Sequence, residues 1–437
     1  VFSGRDRPNH IDAPAQLGHF YLHRKNDTMN PVRILLLLFA TLPNLRAELL
    51  VSSDFEGGSG LVESIDSVSR EIRLRPGGDP ARGWPCWWFV RIDGLRRGER
   101  ATLVLLASDR SARNNGKDTG TPLSPSWAMP AAAAVSDDRK SWRQTDLGTR
   151  EPDHIAYPLV GTGGPLWVAW GPSFVSRESD ALLAAAEEAL PGLAVSFELA
   201  RSREGRPVRA LRFVAGAGAG KPAVWIQARQ HAWESGSSWV AQGFAEWLAG
   251  DEAEALRLRE TAELVVVPIV DVDRVATGDG GKEADPRDHN RDWSDAPHYP
   301  EIAATQEALR AFASENRLAV FLDLHNPGAN DRRPFFFVGP SELLADAARG
   351  NRERFLSLAA EHISGPLALD PKPRVTGANY HPLWRQMSGQ WVSAHGNSHT
   401  LAACLETSWN TRHSTPDGYR EVGRQLGRAV AAFLAKD

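Results

Sequence analysis

The segment AVWIQARQHAWESGSSWVAQGFAEWLAG, residues 223–250, decides how the rest of the chain is read. Its first six residues, Ala223–Ala228, are an apolar run of strand length, and Ser237–Leu248 has the length and composition of a helix. An apolar strand feeding a helix is the repeating unit of a mostly parallel sheet covered on both faces. Between the two lie His231 and Glu234, three residues apart at the turn. Zinc takes imidazole nitrogen and carboxylate oxygen, and two histidines with one carboxylate leave a fourth position for water. Alone, the spacing fits a surface histidine beside an acidic helix start just as naturally.

The same alternation continues outward. A hairpin of Val195–Leu199 and Val208–Val214 precedes the segment, and strands are expected at Leu264–Val270, Leu318–Leu324, Phe335–Val338 and Leu401–Leu405. Helices are expected at Ser179–Leu190, Glu301–Ser314, Arg352–His362 and Tyr419–Leu434. Upstream, residues 49–175 change character. Short alternating runs such as Glu71–Arg75, Trp87–Ile92, Ala101–Leu106 and Pro165–Trp170 are separated by Gly, Pro, Asp and Ser clusters, which predicts a β-sandwich. The fold class is therefore α/β, a mostly parallel mixed sheet with helices on both faces, preceded by an all-β sandwich. Residues 48–176 and 177–437 are the two domains.

Residues 1–47 read as a leader. From Met29 a charged Arg33, an apolar run Ile34–Leu42 and Leu45-Arg46-Ala47 form a secretory signal, Met29–Ala47, with the start at Met29. The run is too short to span a bilayer. Export to the periplasm or beyond is expected, and a cytoplasmic site if the run is instead a buried core segment. The net charge of −4 gives no electrostatic case for nucleic acid. Two cysteines, Cys86 and Cys404, support neither a disulfide framework nor a thiolate-rich metal site. The 15 tryptophans read as core and cleft packing.

Three further points carry chemistry. Phe321-Leu322-Asp323-Leu324-His325 ends a strand in a histidine, 91 residues after Glu234. Sheets of this kind gather ligands at the carboxyl ends of their strands. Arg287-Asp288-His289-Asn290-Arg291-Asp292-Trp293 places arginine beside asparagine, a pair suited to a substrate carboxylate. Asp288 could accept from the outer N–H of a metal-bound histidine. Leu401–Glu406 ends an apolar strand in a carboxylate, costly to bury without a task or partner. Such a glutamate can take a proton from metal-activated water and pass it to a leaving amine. The plainer readings are a satisfied strand-end histidine, a charged loop and a Glu–Arg pair.

HxxE, an Asn-Arg loop, a strand-end His and a strand-end Glu, in this order, resemble the carboxypeptidase A superfamily of zinc peptidases over residues 192–435. The resemblance implies one Zn2+ per chain held by His231, Glu234 and His325, with Glu406 catalytic. It implies Asn290 and Arg291 as binders of a terminal carboxylate and Asp288 as the aspartate behind a ligand. Asp54-Phe55-Glu56-Gly57-Gly58, Trp88-Phe89-Val90-Arg91, Trp127-Ala128-Met129-Pro130, Ser141-Trp142 and Gly171-Pro172-Ser173-Phe174 resemble the β-sandwich of the cytosolic carboxypeptidase branch. That branch includes enzymes that remove glutamate from protein tails and side chains.

Departures stand beside the likeness. Asp271-Val272-Asp273-Arg274 replaces the family's asparagine-proline-aspartate-glycine. The carbonyl-polarising arginine has Lys282 or Arg287 as its counterpart, and the mobile tyrosine has Tyr380. Arg332 and Arg333 are nearby cations that would favour acidic termini, if they are more than a solvated loop. The sequence thus predicts a zinc carboxypeptidase acting on a peptide or protein C-terminus, with no nucleic acid and no stable membrane span. The alternatives are a zinc amidohydrolase for a wall peptide or N-acyl amino acid, and an inactive binding protein of the same fold.

Overall fold

Four strands with nearly every side chain buried occupy the middle of the main sheet: Glu263–Val267, Ala223–Ala228, Leu318–His325 and Leu401–Glu406. In the computed structural model, which describes residues 47–79, 83–215, 217–218 and 220–435, they lie side by side in that order, all parallel. Burial on both faces is why their sequences are continuous apolar runs. Alternate side chains serve two cores. Val224, Ile226 and Leu322 face the helices Ser176–Ala189, Ser235–Ala249 and Pro416–Leu434, while Trp225 and Phe321 face Pro300–Ser314 and Ser388–His395. The antiparallel hairpin Ala194–Arg201 and Pro207–Phe213 extends one edge, and Phe335–Val338 with Arg374–Val375 extends the other. This is the mixed α/β sheet that the sequence predicts.

Before it come two five-stranded sheets, built around Phe89–Asp93 and Leu166–Ala169 in one and Arg100–Leu106 and His154–Val160 in the other. Their inner faces share a core in which Ile72, Leu103 and Leu105 meet Val90, Ile92 and Val168. That core does not stop at residue 176. It takes in Trp233, Ala329 and Trp409 from the second half, and the described residues form one compact unit.

Most differences from the sequence reading are at ends. The strand expected to reach Val270 stops at Val267, because Pro268 has no N–H for the ladder. Three helices were not expected: Ala253–Thr261, Val272–Thr277 and Ser388–His395. The second has readable stops, since the Asp271 carboxylate accepts from Arg274 N (3.1 Å) and Gly278 closes it in the left-handed region. The leader and all of the proposed signal except Ala47 lie outside the described residues. Among the described residues no helix is long and apolar enough to cross a membrane.

Candidate active site

His231, His325 and Glu406 all stand at the carboxyl end of the parallel strands, with His325 and Glu406 directly paired in register. His231 is reached through a tight turn that starts at Arg229, whose backbone is left-handed (φ 64°). The Arg229 guanidinium, buried, holds that turn by donating to the carbonyls of Ala232 (2.9 Å) and Phe174 (3.0 Å). Glu234 then sits at the N-cap of the helix Ser235–Ala249. Between the two, Trp233 is fully buried in the core of the N-terminal sheets, 5.0 Å from Trp170 and 5.8 Å from Trp127 between ring centroids.

The two imidazoles present the same nitrogen to the same carboxylate. His231 Nδ1 lies 2.8 Å from Glu234 Oε1 and His325 Nδ1 lies 2.7 Å from Glu234 Oε2. Their outer nitrogens are tied to buried carboxylates, His231 Nε2 to Asp288 (3.1 Å) and His325 Nε2 to Asp323 (3.0 Å). A ring anchored at Nε2 has its orientation fixed and its Nδ1 left for a metal. One ligand atom from each of the three residues lies within 4.8 Å of the others. Two imidazole nitrogens and one carboxylate oxygen, with no thiolate, are a donor set that fits zinc. Burial alone would raise Glu234, but His231 and His325 hold it well below the usual carboxylate range.

Glu406 faces this cluster in a different state. Burial pushes it up to about 7, His325 offsets part of that, and repulsion from Glu234 adds to the rise. Its Oε2 is buried with no hydrogen-bond partner. A carboxylate poised near neutrality, with one free oxygen, has the properties of a general base.

One cleft joins His231, His325 and Glu406 to Lys282, Asn290, Arg291 and Tyr380. Asn290 accepts from Ser388 N (2.9 Å), and Arg291 Nη1 donates to the Asn290 carbonyl (2.7 Å) while its Nε is buried without a partner. Tyr380 is exposed at the rim, its ring 5.2 Å from Phe337. Lys282 is held by the N-terminal sheets: its carbonyl accepts from Trp84 N (3.1 Å) and its ammonium lies 5.3 Å from the Trp84 ring. The buried carboxylate of Asp79 accepts from Gly280 N (2.6 Å) just before it. Gly281 has φ 79°, and a Cβ there would sit 2.7 Å from Ala232 N, so this loop packs directly on the turn that carries His231 and Glu234. Burial lowers the Lys282 ammonium, but Tyr380, Asp288 and Glu234 more than reverse that and keep it cationic.

The remaining expected residues are placed as follows. Asp288 is on His231 and also receives Asn290 N (2.8 Å). Arg287 is not part of the cleft wall and donates to Gln386 Oε1 (2.9 Å) in a neighbouring depression. Arg332 and Arg333 donate to the carbonyls of Asn410 and Leu369, away from the cleft. The sequence reading passed over Asp323, which besides His325 receives Ser388 Oγ (2.5 Å) and Gln230. Its signal was present: a lone carboxylate inside an apolar strand, two residues before the histidine.

Residues 180–329 match the family described as Zinc carboxypeptidase. Cytosolic carboxypeptidase 2 of Danio rerio is 32% identical over 140 residues, which is 32% of this chain and 19% of that protein. The match thus spans about a fifth of that relative's length. In fold, the chain is similar to a metallo-carboxypeptidase from Burkholderia cenocepacia (TM-score 0.72, 22% identity, 88% of this chain and 99% of that one). A metallo-carboxypeptidase from Pseudomonas aeruginosa in complex with (2-guanidinoethylmercapto)succinic acid has a TM-score of 0.71 at 19% identity, over 88% of this chain and 98% of the other.

Proposed function

We propose that this chain, which carries a zinc carboxypeptidase family domain over residues 180–329, hydrolyses the last peptide bond of a substrate with a free C-terminus. The observation that carries this is a single cleft lined by His231 and His325, whose Nδ1 atoms share the Glu234 carboxylate, together with a free glutamate oxygen and a buried arginine beside an asparagine. His231, Glu234 and His325 would hold a zinc ion, which would supply Lewis acidity at this point of the cleft. Arg291, with Asn290 beside it, binds the terminal carboxylate and thereby sets which bond reaches Glu406. Glu406 Oε2 takes the proton of the attacking water and returns it to the nitrogen of the leaving amine. Lys282 offers a positive charge to the developing oxyanion, as a point charge rather than a fork. Tyr380, on the rim, closes over the bound end. Export from the cytoplasm belongs to the same proposal, and N-terminal sequencing of the protein from fractionated cells checks it.

The test is mass spectrometry of a mixed peptide library incubated with the zinc-loaded protein, with and without a chelator. Loss of single C-terminal residues, abolished by chelation and by amidation of the substrate's terminus, is the expected result. Cleavage that survives amidation would transfer the site to a different amide, because Arg291 would then have no carboxylate to hold. No trimming by zinc-loaded protein would refute the peptidase reading.

A further inference from the structure

Past Asn290 and Arg291 the cleft continues between the strand segments Phe337–Gly339 and Ala402–Cys404 and the start of the helix at Met387–Gln390. Among the described residues of this inner part, no side chain is acidic or basic. Thr376 Oγ1 donates to the Val338 carbonyl (3.2 Å) and accepts from Gln390 Nε2 (2.6 Å). Burial pushes the Cys404 thiol up, so it stays neutral. Apart from Arg291 and Lys282, which serve the terminal carboxylate and the oxyanion, the cations nearby are committed elsewhere. Arg352, behind the wall, donates to the Gly339 carbonyl (2.7 Å) and to Ser341, and Arg374 pairs with Asp331 (2.6 Å).

Two glycines stand on this wall, and they differ. A Cβ on Gly339 would collide with the Gln390 amide oxygen, so that side is closed. A Cβ on Gly389 meets no heavy atom within 4 Å, so the space in front of it is open. A Cβ at position 389, on the cleft wall, would therefore displace nothing, and the glycine leaves that position both empty and uncharged.

We infer that the inner cleft accepts an uncharged side chain as the substrate's last residue and that Gly389 is the position that sets this preference. The inference rests on the carboxypeptidase reading above and names its substrate class. A carboxylate entering here loses its water and finds no free cation, and an ammonium finds only Asp323, buried behind Ser388 and already accepting from His325, Ser388 and Gln230; a buried charge without a partner is strongly disfavoured. The acidic C-terminal residue that likeness to the cytosolic branch implies is the case this wall opposes.

The experiment uses the zinc-loaded full chain and peptides that differ only in the last residue: Ala, Leu, Gln, Glu or Lys. The neutral ends should exceed Glu and Lys in kcat/KM by about 100-fold, the scale set by an unpaired buried charge. In parallel, calorimetry follows binding of the matching Nα-acetyl amino acids to the Glu406→Gln protein, which requires no turnover. Gly389→Lys should raise Glu relative to Lys at least about tenfold, and Gly389→Asp should do the reverse. Mere damage to the helix start would move both variants the same way, and that result would remove Gly389 from the argument. Glu or Lys handled within about threefold of the neutral residues overturns the inference, since so small a ratio leaves no charge penalty to explain. If no peptide is cleaved but neutral acetyl amino acids bind selectively, the peptidase reading fails and the neutral pocket stands. If none of them binds, the pocket inference fails.

Discussion

Replacing Asp323 with asparagine should weaken zinc binding by about 10- to 100-fold, the range for carboxylates that orient a metal-ligating histidine. Asp323 is fully buried and accepts from four side chains: His325 Nε2 at 3.0 Å, Ser388 Oγ at 2.5 Å, Gln227 Nε2 at 3.4 Å, and Gln230. An asparagine oxygen can serve the donors on one side only. Its NH2 must then face at least one other donor, and the imidazole loses a charge-assisted bond. Such bonds contribute about 1.5–3 kcal/mol, which corresponds to between one and two decades of affinity. The assay is competition for zinc against a chromophoric chelator at fixed pH, with thermal unfolding of the metal-free protein as the control for folding. Asp288→Asn should act similarly through His231. Zinc affinity within threefold of the unaltered protein, in a variant that folds normally, would refute the idea that Asp323 orients His325.

Glu406→Gln should retain zinc yet lose about 100- to 10,000-fold in kcat, the range for a general base; unchanged turnover would remove Glu406 from that role. Lys282→Met should bind zinc normally and lose about 100-fold or more in kcat, as for deletion of an oxyanion donor, while Lys282→Arg recovers part of it. If the lysine variants change only KM, the charge serves binding rather than the transition state. His289 is buried between Asp271 (3.3 Å) and Glu301 (2.8 Å); burial alone would lower it, but the two carboxylates raise it to about 9. Its ordinary value is about 6.5, so the charged ring stabilises the fold fully below that pH, and the contribution fades as pH rises through about 9. The stability gap between the native protein and His289→Gln, read by denaturant unfolding, should be widest near pH 6 and narrow toward pH 9.5. A gap that widens with pH would contradict the assignment.

The central strands were legible because burial on both faces leaves unbroken apolar runs, and Ala223–Ala228 and Phe335–Val338 coincide with their predicted limits. The helices at Val272–Thr277 and Ser388–His395 were not, being too short for a periodic pattern and stabilised by packing against the sheet. At the site, residue type and strand position brought His231, His325, Glu406, Asn290 and Arg291 to one cleft, with Glu234 set against both histidines. Arg287 shows the limit of reading by proximity in sequence. Only four residues from Arg291, it turns instead to Gln386, because the short turn His289–Arg291 separates their directions. Lys282 illustrates the converse. Its place depends on Asp79 and Trp84, about two hundred residues earlier, and no local pattern could announce them.

Trp233 lies between His231 and Glu234 in sequence and inside the tryptophan cluster of the N-terminal sheets in space. The two halves are therefore poor units for recombination. A catalytic half transplanted onto another β-sandwich, or cut free at residue 176, would carry an indole that has lost its socket, and the turn bearing His231 and Glu234 would be the first backbone to feel it. Substitutions at Trp127 or Trp170, which touch no ligand, should accordingly be tolerated only together with compensating changes at position 233. In a lineage of such proteins, the inheritance of the N-terminal sheets and that of the metal centre are tied together by one side chain.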